Sequence, residues 1–71
     1  MCGIVGYVGR QEATPILLAG LHQLEYRGYD SAGVAVLGRS GLKLHKSVGK
    51  IRRLEESLPR RVRGAVGIAH T

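Results

Sequence analysis

The chain has 71 residues, a formal net charge of +6 and a single cysteine, and these values exclude several classes of protein. A chain of this length forms at most one small domain with a limited hydrophobic core. One cysteine cannot form an internal disulfide, and the wide spacing of His22, His45 and His70 indicates no metal site, so we predict no metal and no cofactor. No apolar run approaches the roughly 18 residues that span a bilayer, and no signal-peptide pattern is present. We therefore expect a cytoplasmic protein with no membrane partner.

The first feature in chain order is Cys2, which directly follows Met1. Initiator methionine is normally removed when the second side chain is small, and its removal would leave a cysteine that carries a free α-amine. An ordinary α-amine has a pKa of about 8 and an ordinary thiol one of about 8.5, so such an amine can accept the thiol proton near neutral pH. The position therefore predicts an N-terminal nucleophile. The alternative is a small buried thiol, as most lone cysteines are.

The first half of the chain predicts a strand and then a helix. Residues 3–8 form a short apolar run, which is typical of a strand buried on both faces. Thr14 is a candidate N-cap, Pro15 suits the first helical position, and leucines at helical spacing extend the helix to about residue 25. Gly20 costs this helix about 1 kcal/mol relative to alanine, so we expect close packing on a sheet there. A polar loop follows at residues 26–31.

The second half predicts a hairpin, a short helix and a last strand. Strands at residues 32–37 and 42–48 flank a turn at residues 38–41, and the second strand alternates regularly. One face of that strand carries Leu42, Leu44, Lys46 and Val48. An amphipathic helix begins at Ile51 and is closed by Pro59, and a basic loop follows at residues 60–64. The small and β-branched run at residues 65–69 suits a central strand. The predicted fold class is α+β, with a mostly antiparallel sheet and helices packed on one face.

The basic residues are unevenly distributed, and nine of the eleven lysines and arginines lie between residues 39 and 63. Such a segment could bind phosphates, although charge alone gives only weak, salt-sensitive binding. Proteins that bind single-stranded nucleic acid usually add aromatic stacking platforms, whereas Tyr7, Tyr26 and Tyr29 all precede this segment. We favour a solvated surface and keep a basic nucleic-acid-binding module as an alternative hypothesis. An inert truncation product is a third hypothesis.

Three segments of the sequence resemble a known family. They are residues 1–7, 24–33 and 67–71, which read MCGIVGY, LEYRGYDSAG and GIAHT. Together they resemble the beginning of the glucosamine-6-phosphate synthase family, whose glutaminase half is a class II glutamine amidotransferase with the N-terminal-nucleophile hydrolase fold. The resemblance covers all 71 residues. The segment at residues 26–33 discriminates best, because related amidotransferases share the Cys-Gly-Ile opening.

The resemblance implies a catalytic set of Cys2, Arg27 and Gly28. Cys2 would attack the side-chain amide of L-glutamine to form a thioester, and the ammonia released would convert fructose 6-phosphate into glucosamine 6-phosphate. Arg27 and Gly28 match the family's loop beside the nucleophile, where a guanidinium can bind a carboxylate and glycine permits close backbone approach. From the residues alone, Arg27 could instead be a surface cation paired with Asp30, and Gly28 a positive-φ turn residue. His70 is expected to have a structural or supporting role.

The resemblance also implies that the 71 residues are the amino-terminal fragment of a glutaminase domain. The family continues past residue 71 with an Arg-Trp-Ala-Thr-His-Gly segment, an Asn-Gly oxyanion hole, a substrate-binding aspartate and the isomerase half. We therefore expect these 71 residues alone to be inactive, and the parent enzyme to be a homo-oligomer. We also expect the strands that begin at Cys2 and Ala65 to have lost the partners that follow later in the parent, which leaves open sheet edges.

Overall fold

The computed structural model describes residues 2–28, 30–59 and 62–71. These ranges contain four strands, two α-helices and one turn of 3-10 helix. In chain order the elements are β1 (Ile4–Val8), α1 (Ala13–Leu24), the 3-10 turn (Glu25–Arg27), β2 (Ser31–Gly38), β3 (Gly41–Val48), α2 (Ile51–Ser57) and β4 (Val66–His70). The predicted α+β class is confirmed, whereas the N-terminal-nucleophile hydrolase fold remains a prediction.

The strands form one sheet in the order β1-β4-β2-β3, and every neighbouring pair is antiparallel. Ala69 of β4 is paired with Val5 of β1 on one side and with Val34 of β2 on the other. The prediction of a central last strand is therefore confirmed. The expectation of an open edge is wrong for this strand, because β1 and β2, distant in sequence, enclose it. Within the described sheet, β1 and β3 are the edges.

The hydrophobic core lies between one face of the sheet and the two helices. Helix α1 packs on β1, β4 and β2, while α2 packs on β3 and β2. Gly20 of α1 lies directly over Val5, where an added Cβ would be 2.8 Å from Val5 Cγ1, so the predicted close packing is confirmed. The buried apolar residues are Ala13, Leu17, Leu21, Ala32, Val34, Val36, Ile51, Leu54, Val62 and Ala69.

The opposite face of the sheet is apolar and exposed. Leu44 of β3 is paired with Ala35 of β2, which is paired in turn with Ile68 of β4, and both large side chains are about 60% exposed (62% and 59%). Because side chains alternate along a strand, Leu42 and Val48 share this face with Leu44, as predicted. No described element of the chain covers it. This surface is called the open face, and its exposed apolar residues are Ile4, Val8, Leu37, Leu42, Leu44, Val48, Val66 and Ile68.

Helix α1 begins differently from the prediction. Its N-cap is Glu12, whereas the Thr14 hydroxyl donates to the Val62 carbonyl oxygen at 2.8 Å. The Glu12 carboxylate accepts a hydrogen bond from the Gly64 amide at 3.0 Å, and the Ala13 amide donates to the Gly64 carbonyl oxygen at 2.7 Å. The start of the helix is thus fixed by the segment before β4, a long-range contact that the local pattern around Thr14 could not show.

The remaining boundaries differ from the predictions by short stretches. Part of the loop predicted at residues 26–31 is the 3-10 turn, and β2 already begins at Ser31. Helix α2 ends at Ser57, shortly before Pro59, as expected because the residue before a proline disfavours helical geometry. The positions of Tyr29, Arg60 and Arg61, which the sequence assigned to loops, lie outside the described residues.

Candidate active site

The predicted nucleophile lies at the exposed start of the first strand. Cys2 is solvent-exposed and directly precedes Gly3, which leads into β1. The Gly3 amide donates to Thr71 Oγ1 at 3.0 Å, and the Thr71 amide donates to the Gly3 carbonyl oxygen at 3.0 Å. The start of β1 is therefore fixed to the end of β4, and Cys2 extends from that junction into solvent.

Gly3 also contacts the end of helix α1. A Cβ added to Gly3 would lie 2.6 Å from Leu24 Cδ1, so only glycine fits here without displacing the leucine. Leu24 is the last residue of α1 and immediately precedes the 3-10 turn. The helix end is consequently packed beside the residue that follows Cys2. The chain reaches Gly28 four residues after this contact.

Gly28 ends the 3-10 turn in a conformation that favours glycine. Its φ is 95°, and its amide donates to the Glu25 carbonyl oxygen at 3.0 Å. Residues with a side chain rarely adopt positive φ. The observed φ of Gly28 confirms the expectation of a positive-φ glycine at this turn. The catalytic roles assigned to Arg27 and Gly28 remain predictions, and the side chain of Arg27 lies outside what the structure describes.

His70 lies at the end of β4 beside the same junction. It is paired with Ile4 on one side and Gly33 on the other, and its Nε2 would be 3.0 Å from a Cβ added to Gly33. The ring therefore packs across a strand that has no side chain at that position. The supporting role expected for His70 remains a prediction.

Thr71 is the residue at this junction that the sequence did not single out. A threonine that follows a strand has no distinctive local pattern. Its importance appears only once β1 and β4 are known to be antiparallel neighbours. The available signal would have been a pairing of the first and last apolar runs, which places residue 71 opposite residue 3.

His22 forms a polar cluster between the helices, on the side of the sheet opposite the open face. Its Nε2 is 2.7 Å from Glu55 Oε1 of α2, and its Nδ1 is 3.6 Å from Glu25 Oε1. The second oxygen of the Glu25 carboxylate accepts a hydrogen bond from the Ile51 amide at 3.2 Å. The hydrogen bond with Glu55 raises the pKa of His22, opposed by partial burial and reinforced by the charges of Glu55 and Glu25. The cluster therefore links the start of α2 to the end of α1.

Two open cavities in the described part of the chain lie away from the predicted catalytic residues. One, of about 800 Å³, is lined by residues of α1, α2 and the segment before β4. The other, of about 620 Å³, lies beside the hairpin turn and is lined in part by Arg39, Lys43 and Arg63. Neither is lined by Cys2 or Gly28.

The described lysines of β3 are divided between the two faces of the sheet. Lys43 and Lys46 belong to β3 and lie three positions apart, so they extend to opposite faces of the sheet. Among residues 2–28, 30–59 and 62–71, no three or more His, Cys, Asp or Glu side chains are arranged so that they could hold a metal ion. In the same ranges no helix is long and apolar enough to cross a membrane.

Comparison with known proteins identifies relatives along the whole chain. It is 59% identical over 71 residues to the isomerizing glutamine–fructose-6-phosphate aminotransferase of Methanosarcina mazei. It is 56% identical over 73 aligned residues to that of Gloeobacter violaceus and 54% identical over 71 residues to that of Bacillus cereus. The chain is thus similar throughout to a part of the glutamine–fructose-6-phosphate aminotransferases. No protein-family model matches it.

These aminotransferases confirm the family resemblance predicted from the three sequence segments. Every residue of the chain is covered, yet the chain spans only 11–12% of the length of the relatives named above. The matches do not favour the nucleic-acid-binding alternative, because the relatives are named for a transfer reaction.

Proposed function

We propose that this chain supplies the nucleophile of a glutamine-hydrolysing domain in an isomerizing glutamine–fructose-6-phosphate aminotransferase. The observation that carries the proposal is the identity of 59% with such an enzyme across all 71 residues. It is supported by the exposure of Cys2 directly before β1. An exposed thiol at the second position suits an N-terminal nucleophile and does not suit a small core residue.

The proposed reaction begins with attack of the Cys2 sulfur on the side-chain carbonyl carbon of L-glutamine. A carbon–sulfur bond forms and the carbon–nitrogen bond breaks, which gives a thioester and releases ammonia. The α-amine of Cys2, available after Met1 is removed, takes the thiol proton and delivers it to the departing nitrogen. Water then attacks the thioester, releases glutamate and restores the thiol. No cofactor takes part in these steps.

Arg27 would bind the substrate, and Gly28 would let the backbone approach the nucleophile closely. A guanidinium has a planar set of donors that matches a carboxylate, so we assign Arg27 the role of binding a carboxylate at the site. Gly28 is assigned to close approach of the backbone toward the nucleophile, which its missing side chain permits. The packing of Leu24 against Gly3 supports this assignment, since it brings the end of α1 beside the start of β1.

The remaining steps belong to the whole enzyme. The relatives are named as aminotransferases of fructose 6-phosphate, and we extend that acceptor to the protein in which these residues function. Glucosamine 6-phosphate is then the product. We further assign the enzyme to the cytoplasm and expect a homo-oligomer.

The test uses a hybrid enzyme, in which these 71 residues replace the matched residues of the Methanosarcina mazei aminotransferase. We expect the hybrid to hydrolyse glutamine, and Cys2→Ala to lower the rate by about 1,000-fold or more, since removing a covalent nucleophile has effects of this order. Ser40→Ala, in the hairpin turn, is the matched control and should leave the rate unchanged. A hybrid that folds without hydrolysing glutamine, or equal rates with and without Cys2, would refute the proposal.

A further inference from the structure

We infer that Thr71 is a positioning residue that holds the nucleophile in place through the peptide group of Cys2. The inference rests on the proposed function of Cys2. Its structural basis is the pair of hydrogen bonds between Gly3 and Thr71, one from the Gly3 amide to Thr71 Oγ1 and one from the Thr71 amide to the Gly3 carbonyl oxygen.

The bond to the hydroxyl acts directly on Cys2. The amide nitrogen of Gly3 belongs to the peptide bond that joins Cys2 to Gly3, and the atoms of a peptide bond are coplanar with both flanking Cα atoms. Restraining this N–H therefore also restrains the Cα of Cys2. Only rotations within Cys2 itself remain to move the thiol and the α-amine.

The regular strand pairing does not supply this bond. The ladder between β1 and β4 ends at the pair Ile4 and His70. Beyond that pair the Thr71 backbone amide bonds the Gly3 carbonyl oxygen, but the Gly3 amide itself is bonded by a side chain. Of the natural side chains, serine can offer a hydroxyl at the same position, whereas valine has the shape of threonine without an acceptor.

Leu24 limits movement of the junction on another side. Its Cδ1 occupies the space beside the Gly3 Cα, so Gly3 cannot shift toward helix α1 without displacing a leucine. The hydrogen bonds to Thr71 and the contact with Leu24 together restrain Gly3, to which Cys2 is joined. A nucleophile restrained in this way is positioned before substrate binds, and misplacement by about 1 Å can cost about 100-fold in rate.

The first experiment measures hydrogen exchange of the Gly3 amide by NMR in the 71-residue chain. The inference predicts that Gly3 exchanges at least about tenfold faster in Thr71→Val than in wild type or Thr71→Ser, because only valine removes the acceptor. Thr14→Val is the matched control, since it removes a hydroxyl bond to the Val62 carbonyl oxygen elsewhere in the fold. Equal Gly3 exchange in Thr71→Val and Thr14→Val would overturn the inference.

Wild-type exchange decides the matter if Thr71→Val does not fold. A Gly3 amide that exchanges at the rate of an unstructured peptide in the folded wild-type chain would also overturn the inference. Protection of Gly3 that persists in Thr71→Ser, the variant that keeps the hydroxyl, would support it.

The second experiment measures kinetics in the hybrid enzyme. Thr71→Val should lower kcat for glutamine hydrolysis by about 10- to 100-fold with KM changed less than about threefold, and Thr71→Ser should restore kcat. A purely structural threonine would not give this split between kcat and KM together with rescue by serine. If the hybrid hydrolyses glutamine and Thr71→Val leaves kcat unchanged, the positioning role fails while the proposed function stands. If the hybrid hydrolyses no glutamine, the proposed function fails, and Gly3 exchange still decides whether Thr71 restrains Cys2.

Discussion

Gly20 of helix α1 lies against Val5 of strand β1 so closely that an added Cβ would be 2.8 Å from Val5 Cγ1 and 2.9 Å from Val5 Cγ2. The contact explains a glycine in the middle of a helix. Val5 is β-branched and has little rotamer freedom with which to move aside. Strand β1, which begins two residues after Cys2, thus packs on α1 at the one position of that helix that lacks a side chain.

The contact predicts that Gly20→Ala destabilises the fold. Alanine favours the helix by about 1 kcal/mol, but overpacking against a rigid neighbour costs about 1–3 kcal/mol. The urea midpoint should therefore fall. Repeating the substitution in a Val5→Ala background removes the methyl groups that collide, and there Gly20→Ala should raise the midpoint. An increase in both backgrounds would show that the contact does not limit packing.

The His22 cluster predicts a pH-dependent attachment of α2 to α1. The hydrogen bond with Glu55 raises the pKa of His22 above its ordinary value of 6.5. We expect an NMR titration of the His22 ring to show this elevation, and Glu55→Gln to lower the midpoint. Glu56→Gln is the matched control, because Glu56 is paired with Arg52 at 4.0 Å instead. A midpoint at or below 6.5, or equal midpoints in wild type and Glu55→Gln, would contradict this prediction.

The same elevation sets the sign of the effect on stability. A group whose pKa is higher in the folded state stabilises that state fully below its unfolded pKa, and the contribution is lost as pH rises through the folded pKa. The difference in stability between wild type and His22→Gln should therefore be larger at pH 6 than at pH 9. Because the side chain of His22 is 44% exposed, the contribution should stay below about 1 kcal/mol.

The open face predicts self-association of the 71-residue chain. Large apolar residues of β3 and β4 are exposed there, such as Leu44 and Ile68 on either side of Ala35 of β2. Contiguous exposed patches larger than a few hundred Å² generally mark association surfaces. Sedimentation velocity over a range of concentrations should detect oligomers of the wild-type chain. The double variant Leu44→Lys with Ile68→Lys should shift the chain toward monomer.

Gln23→Lys serves as the control for charge. It adds a lysine at an exposed position of α1, away from the open face, and should leave the oligomers in place. If Gln23→Lys disperses them as well as the double variant does, net charge and not the open face governs association.

The basic segment predicts only weak, salt-sensitive binding to nucleic acid. Lys43 and Lys46 extend to opposite faces of β3, so the described cations cannot all contact one phosphate backbone together. Binding to mixed-sequence oligonucleotides should disappear at moderate salt, whereas a dedicated binder shows a steep salt dependence and measurable affinity that persists. Persistent binding at moderate salt would revive the alternative hypothesis.

The helices and strands could be predicted from the sequence because the spacing of apolar residues that marks each of them is a local property. The apolar run at residues 65–69 indicated a central strand, and β4 is central. Gly20 indicated close packing, and Val5 provides it. The alternation in β3 separated its two faces correctly, yet it could not show that the face with Leu44 is the uncovered one, since coverage depends on where the helices pack.

The candidate site was only partly predictable for a related reason. The position of Cys2 beside Met1 is visible in the sequence, but the bond from Gly3 to Thr71 joins residues 68 positions apart. Thr14 shows the same limit, because its hydroxyl bonds Val62 and does not cap its own helix. Side-chain hydrogen bonds of this kind depend on strand order, which local sequence does not determine.

In the proposed mechanism the α-amine of Cys2 acts as the base for its own thiol, so activity should depend on removal of Met1. The measurement compares glutamine hydrolysis by the hybrid enzyme prepared with Met1 removed and with Met1 retained, each verified by intact mass. Retained methionine converts the α-amine into an amide that cannot accept a proton. We expect the rate of glutamine hydrolysis to be lower by about 100-fold or more in the enzyme that retains Met1, because a general base usually contributes a factor of this size. Full glutaminase activity from protein that retains Met1 would contradict it.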